Sequence, residues 1–184
     1  MNKLRSDVLQ FKRLCGDTGE MSTLRFVMTC ANPRMVPVVI VRLAEFFSAN
    51  RLGLLAKLSS MFNVAIFGIE VSPKVSIGGG LFLPHTVGTV IGAASIGHNC
   101  TIMQGVTLGA LESDLSFTSA KRPIIGNDVV IGSGAKILGG ITVGDRARIG
   151  ANAVVLIDVP AESVAVGVPA RIIIKSPSGE TNAD

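Results

Sequence analysis

From Ile125 onward the chain places an aliphatic residue at every sixth position: Ile125, Ile131, Ile137, Val143, Ile149 and Val155. Four residues after each comes a second small or aliphatic residue, Val129, Ala135, Ile141, Ala147, Ala153 and Val159. The same register reads upstream as Val90, Ile96, Ile102 and Leu108 with partners Ala94, Cys100 and Val106, and earlier as Val71, Ile77 and Leu83 with Val75, Leu81 and Val87. A helix repeats about every 3.6 residues and an alternating strand every two, so a sustained six belongs to a solenoid in which each hexad supplies one short strand and one turn. The expectation is a parallel β-helix of hexapeptide repeats, three hexads to a triangular coil. About five coils between residues 70 and 166, stacked at strand spacing, give a prism roughly 25 Å tall. Glycine follows the aliphatic in Ile77-Gly78, Ile96-Gly97, Ile125-Gly126, Ile131-Gly132 and Val143-Gly144. A coil corner there either leaves no room for a side chain or demands unusual backbone angles.

Two departures from the period mark places that need more than scaffolding. Ile77 to Ile96 is nineteen residues, one more than three hexads, and the excess falls within His85-Thr86-Val87-Gly88-Thr89, where a bulge re-aims a side chain. Between Leu108 and Ile125 the pattern lapses, and residues 110–122 read as a polar loop leaving the prism; long loops on rigid scaffolds often carry function.

Residues 1–69 read differently. Val36, Val39, Ile40, Leu43, Phe46 and Phe47 form a helical stripe entered at Asn32-Pro33, and Leu54, Leu55, Leu58, Met61, Phe62 and Ala65 repeat it after a break at Asn50-Arg51-Leu52-Gly53. Two amphipathic helices are expected to form a cap, with a short helix over Asp7–Leu14 and a loop from Cys15 to Thr23. The organisation is an α-helical region 1–69, a β-helix domain 70–166 carrying loop 110–122, and a C-terminal segment 167–184 whose tail frays from Lys175.

Composition narrows the classes. The chain is 48% hydrophobic and 16% charged over 184 residues, which excludes a disordered chain. Its aromatic residues are eight Phe, against 21 Gly, so the core is built from aliphatics between tight turns. The apolar run Met35–Val41 is fenced by Arg34 and Arg42 and falls far short of the ~20 residues of a membrane span. The opening residues carry no apolar stretch of a secretory signal, and three cysteines without metal or CxxC spacing fit reduced thiols; a cytoplasmic protein is expected. Residues 1–69 hold nine Lys and Arg against four Asp and Glu. With no basic cluster or interleaved aromatics for nucleic acid, that excess reads as a solvated helical face or as peripheral contact with an anionic inner-membrane surface.

Over residues 34–173 the chain resembles the serine O-acetyltransferases and the related polysaccharide O-acetyltransferases of the left-handed β-helix superfamily. The resemblance is carried by Gly68-Ile69-Glu70-Val71-Ser72-Pro73, His85-Thr86-Val87-Gly88-Thr89-Val90-Ile91-Gly92, Gln104-Gly105-Val106-Thr107-Leu108-Gly109 and Gly167-Val168-Pro169-Ala170-Arg171. It implies an all-β left-handed parallel β-helix with a small helical N-terminal region, a homotrimer, and acetyl-CoA as co-substrate without a metal. By the same resemblance His85 is the general base and Glu70, where the family usually has Asp, orients it. Gly109, Ala110, Ser133 and Ala151 match positions that line the acetyl-CoA groove, with Lys136 and Arg171 toward its phosphates.

Acetyl transfer from a thioester to an alcohol needs a base for the hydroxyl proton and donors for the oxyanion. Of the two histidines, His98 lies in an ordinary Ile-Gly-His-Asn corner and reads as a surface turn residue, while His85 falls at the one-residue irregularity and coincides with the base that the resemblance implies. The chain also departs from the serine enzymes. Pro84 precedes His85 where they carry Asp, and Lys121-Arg122-Pro123 replaces their Arg-His-Pro. Lys121 and Arg122 suit a carboxylate or a sugar phosphate equally. These departures favour a sugar hydroxyl in surface-polysaccharide synthesis as the acceptor, with L-serine of cysteine biosynthesis as the alternative and a non-catalytic β-helix scaffold as a third reading.

Overall fold

The computed structural model describes residues 3–114 and 116–174. Short strands of two or three residues line three sheets. The first sheet stacks β1 (Ile69–Val71), β3 (Thr89–Ile91), β6 (Thr107–Gly109), β9 (Lys136–Leu138) and β12 (Val154–Val155). The second stacks β2 (Ser76–Ile77), β4 (Ser95–Ile96), β7 (Ile124–Ile125) and β10 (Thr142–Val143). The third stacks β5 (Thr101–Ile102), β8 (Val130–Ile131), β11 (Arg148–Ile149), β13 (Val164–Val166) and β14 (Arg171–Ile173). Neighbours pair in parallel, except that β14 runs antiparallel to β13. The β-helix expected from the repeat is therefore present.

Each sheet stacks like on like along the prism core. Val71, Ile91, Leu108, Ile137 and Val155 form one ladder, and Ile77, Ile96, Ile125 and Val143 another. From Ile125 to Val155 the sixth-position aliphatics are buried where the period puts them, and of their partners Ile141 alone is only partly buried. Upstream the register differs by one residue: Ile91 and Ala93 face the core in place of Val90 and Ala94, and Val87 is exposed. Eight residues separate Leu83 from Ile91 and five separate Ile91 from Ile96. The single-residue excess is thus two residues gained in the bulge around His85 and one lost after it.

The glycines after the aliphatics answer to space. A Cβ on Gly97 would lie 2.5 Å from the Gly126 carbonyl oxygen of the next coil, a contact only glycine allows. Positive φ falls instead on neighbouring corner positions, at Asn99, Asp128, Arg146 and Glu162 along one corner and at Gly105, Gly134 and Asn152 along another.

Four helices precede the prism: α1 (Lys3–Leu14), α2 (Thr23–Cys30), α3 (Val36–Ala49) and α4 (Gly53–Phe67). Helix α1 starts four residues ahead of expectation, and α2 was not expected, although Ser22 caps it by accepting from the Arg25 N–H. Helix α4 is not amphipathic as expected: Ala56 and Asn63 are its buried residues, while Leu54, Leu58, Met61, Phe62 and Ile66 are exposed.

Helices α1 and α3 close one end of the prism through a buried ion pair. Asp7, fully buried, accepts from the backbone N–H groups of Gly80 and Leu81 at 2.8 Å each, and takes Arg42 Nε and Nη2 at 2.8 and 2.9 Å. Arg42 also donates to the carbonyls of Ile77 and Gly78. Phe11 meets Phe82 edge to face at 5.9 Å. At the other end, the Val154 N–H donates to Gly167 O, the Ala170 N–H donates to Val154 O, and β14 pairs along the last parallel strand. Of the C-terminal segment, the tail from Lys175 lies outside the described residues. No helix among the described residues is long and apolar enough to cross a membrane.

Candidate active site

The outward face of the first sheet carries a continuous column. Register places Glu70 beside Val90, Val90 beside Thr107, and Thr107 beside Lys136. Glu70 alternates outward between the buried Ile69 and Val71. Beside it lies a groove of about 320 Å³, lined by Glu70, Lys74, Thr107, Asp114, Phe117 and Arg122 among others. A second, mostly apolar groove of about 560 Å³ runs between α4 and β1, with Met61, Val64 and Pro73 in its lining. Glu70 lines both grooves and stands between them.

His85 sits in the bulge before β3 and is exposed. The bulge is pinned to the junction of α4 and β1: Thr86 Oγ1 donates to Phe67 O at 2.7 Å, and the Gly88 N–H donates to Gly68 O at 2.9 Å. Gly68 adopts φ 63° as the left-handed end of α4 and approaches Val87 closely, its added Cβ falling 3.4 Å from Val87 Cα. Glu70, expected to orient His85, lies fifteen residues before it. The coil here is twenty residues, so Glu70 stacks on Val90, and no hydrogen bond joins Glu70 to His85 among the described residues. The bulge that carries His85 is tied to the residues just before β1, while His85 lines neither of the two grooves that Glu70 lines. His98 is the exposed turn residue expected, its Nδ1 accepting from the Gly79 N–H at 3.2 Å.

Loop 110–122 folds back as one wall of the polar groove. Asp114 organises it, accepting from Ser116 Oγ and the Thr118 N–H at 2.6 Å each and from Arg122 Nη2 at 3.3 Å. These contacts, the Ser116 hydroxyl foremost, hold the Asp114 carboxyl down at about 2. Arg122, expected to meet substrate, is instead a strut of its own loop. Its Nη1 donates to Gly92 O, its Nη2 to Asp114, and its guanidinium stacks 4.1 Å over the Phe117 ring. Phe117 holds φ 60°, a conformation costly for a bulky residue. Lys121 lies in a short 3-10 turn, Ser119–Lys121, exposed and outside the groove lining.

The residues expected for acetyl-CoA flank the first sheet. Gly109 and Ala110 leave it toward the loop, and a Cβ on Gly109 would meet nothing within 4 Å, an opening that suits a close-lying ligand. Ser133 and Ala151 stack on successive coils at the opposite corner, tied by the Asn152 N–H to Ser133 O at 2.8 Å. Lys136 lies on the face itself, but its ammonium is engaged by Gly105 O at 2.5 Å and Thr107 Oγ1 at 3.1 Å. Arg171 is exposed on β14. The groove residues Lys74, Asp114 and Phe117 escaped sequence reasoning. Asp114 and Phe117 lie within loop 110–122, which the lapse in the period had marked, and the signal for Lys74 was its position four residues after Glu70, in the turn that leaves β1.

The bacterial transferase hexapeptide family, described by six repeats, matches residues 122–156. The chain is 45% identical over 144 residues to the serine acetyltransferase of Helicobacter pylori (strain J99), covering 78% of this chain and 82% of that protein. Among solved structures, Brucella abortus strain S19 serine acetyltransferase in complex with coenzyme A superposes with TM-score 0.78 at 32% identity, over 94% of this chain and 67% of that one. Neisseria gonorrhoeae serine acetyltransferase in complex with serine gives TM-score 0.77 at 28% identity, over 93% and 67%. These relatives overturn the sugar acceptor of surface-polysaccharide synthesis: Pro84 and the altered Lys121-Arg122-Pro123 occur on a chain whose curated relatives are serine acetyltransferases. The chain is an acyltransferase that uses acetyl-CoA, and it belongs to the serine acetyltransferase family of hexapeptide-repeat transferases.

Proposed function

We propose that the protein is a serine O-acetyltransferase of cysteine biosynthesis, moving the acetyl group of acetyl-CoA to the hydroxyl of L-serine in the cytoplasm. The observation that carries the proposal is the 45% identity spanning 82% of the Helicobacter pylori serine acetyltransferase. A groove with charges of both signs beside Glu70 supports a small zwitterionic acceptor.

In this reading His85 takes the serine hydroxyl proton as the oxygen attacks the thioester carbonyl. A backbone N–H receives the oxyanion. Collapse of the tetrahedral intermediate breaks the carbon–sulfur bond, and the His85 imidazolium returns the proton to the departing thiolate, giving O-acetylserine and free CoA. Glu70 stabilises that imidazolium and sets its tautomer. Gly109, Ala110, Ser133 and Ala151 provide the walls for the extended arm of CoA, and Arg171, exposed where Lys136 is engaged by Gly105 O and Thr107 Oγ1, faces its phosphates. The prism is left-handed and assembles as a homotrimer, for which the exposed apolar side chains of α4 offer surface to be covered.

Release of free thiol from acetyl-CoA by the purified protein, with and without L-serine, tests the proposal. Saturable, serine-dependent release with O-acetylserine as product is expected. Release that ignores serine overturns the acceptor.

A further inference from the structure

We infer that Lys74 is the residue that recognises the carboxylate of the acceptor, a specificity-determining contact that rests on the serine O-acetyltransferase reading above. A site for a free amino acid needs a cation whose donors are not already spent on the protein. The candidates offered by sequence are spent or misplaced. Both terminal nitrogens of Arg122 serve Gly92 O and Asp114, and its Nε, which has no partner, is buried away from the groove's solvent, so Arg122 lines the groove with its exposed donors already engaged. Lys136 is held by Gly105 O and Thr107 Oγ1. Lys121 stands outside the groove lining.

Lys74 lines the groove and is exposed. Its ammonium has three donors and makes one long contact, 3.4 Å to Ser116 O, with the Phe117 ring 5.6 Å away. No carboxylate lies within 4.0 Å of it among the described residues. A contact at the long end of the hydrogen-bond range is readily exchanged for a charge-assisted one. The backbone that carries Lys74 is also set in advance. Ser72-Pro73 turns the chain out of β1, with the Val75 N–H on Ser72 O at 3.1 Å and the Lys74 N–H near Ser72 Oγ at 3.4 Å. The cation therefore stands in the same groove as Glu70, four residues along the chain, and Arg122 does not need to leave its loop for a carboxylate to be bound.

The test is steady-state kinetics of Lys74→Met and Lys74→Arg beside the wild type, with L-serine and with L-serinamide, which lacks the carboxylate charge. Lys74→Met should raise the KM for L-serine about ten- to a hundredfold, leave the KM for acetyl-CoA and the melting temperature unchanged, and abolish the preference for L-serine over L-serinamide. Lys74→Arg should retain most of that preference. A wild type active on L-serine whose Lys74→Met variant keeps the preference overturns the inference alone. A rise in the acetyl-CoA KM equal to that for serine overturns it too, because Lys74 would then only support the loop. A wild type that does not acetylate L-serine overturns the functional reading and the inference together.

Discussion

His85 occupies the one place where the β-helix gains two residues within a single hexad, and the bulge lifts it clear of the prism without loosening it. Thr86 and Gly88 on one side and Gly105 on the other fasten its flanks. A base needs such a mount, exposed to substrate and fixed in position. His85→Ala should lower turnover at least about a hundredfold with an unchanged melting temperature, and Glu70→Gln should cost less, since it removes an orienting charge and leaves the base; steady-state rates of the two variants check both. Asp114 makes a prediction of another kind. Its carboxyl is held at about 2 from an ordinary value of 3.8, by the Ser116 hydroxyl first and by Thr118 and Arg122. Its contribution to holding the loop is therefore complete above about pH 4 and is lost as pH falls through about 2. A carboxyl NMR titration of Asp114 should show a midpoint near 2; a midpoint near 3.8 would mean that the tie does not form in solution. Which cations of the site are free was illegible in the sequence for the same reason. Arg122 is neutralised by a residue eight positions away across a folded loop, and no local pattern announces that pairing.

At the scale of elements, the C-terminal hexads were legible because six of them follow one another without a break, which fixes the register even where aliphatics adjoin, as in Ile124-Ile125, Val130-Ile131 and Val154-Val155. Upstream, Val90-Ile91 offers two adjacent aliphatics, so both registers satisfy the pattern, and the bulge at residues 84–88 decides between them. Helix α4 was legible as a helix, but its apolar residues spread round most of its circumference, which a stripe of matches does not reveal. The joint between helices and prism was invisible, since Asp7 and Arg42 are separated by 35 positions and read as ordinary surface charges. Removing one partner of that buried pair leaves the other charge without compensation. Arg42→Ala should destabilise the protein by about 3–5 kcal/mol, whereas the double replacement Asp7→Leu with Arg42→Met should recover much of the loss. Urea unfolding midpoints of the three proteins provide the comparison, and an unchanged midpoint for Arg42→Ala would show that the joint carries no stability.

Taken whole, the molecule is a stack whose repeating unit has no intrinsic reason to stop. Each coil leaves a row of unpaired N–H and C=O groups ready for the next. The helical joint at Asp7 blocks that row at one end. At the other, residues 167–174 fold over it, β14 running against the direction of every strand beneath it. A strand laid in reverse completes the hydrogen bonds of its neighbour but presents the wrong polarity for another parallel coil. The reversal thus acts as a terminator of polymerisation. A chain ending at Val166 should expose a competent growing end and form concentration-dependent linear assemblies, seen as a sedimentation coefficient that rises with loading. If the shortened chain sediments independently of concentration, the last parallel coil is protected by other means. The segment after Val166 would on this account separate a discrete enzyme from a filament.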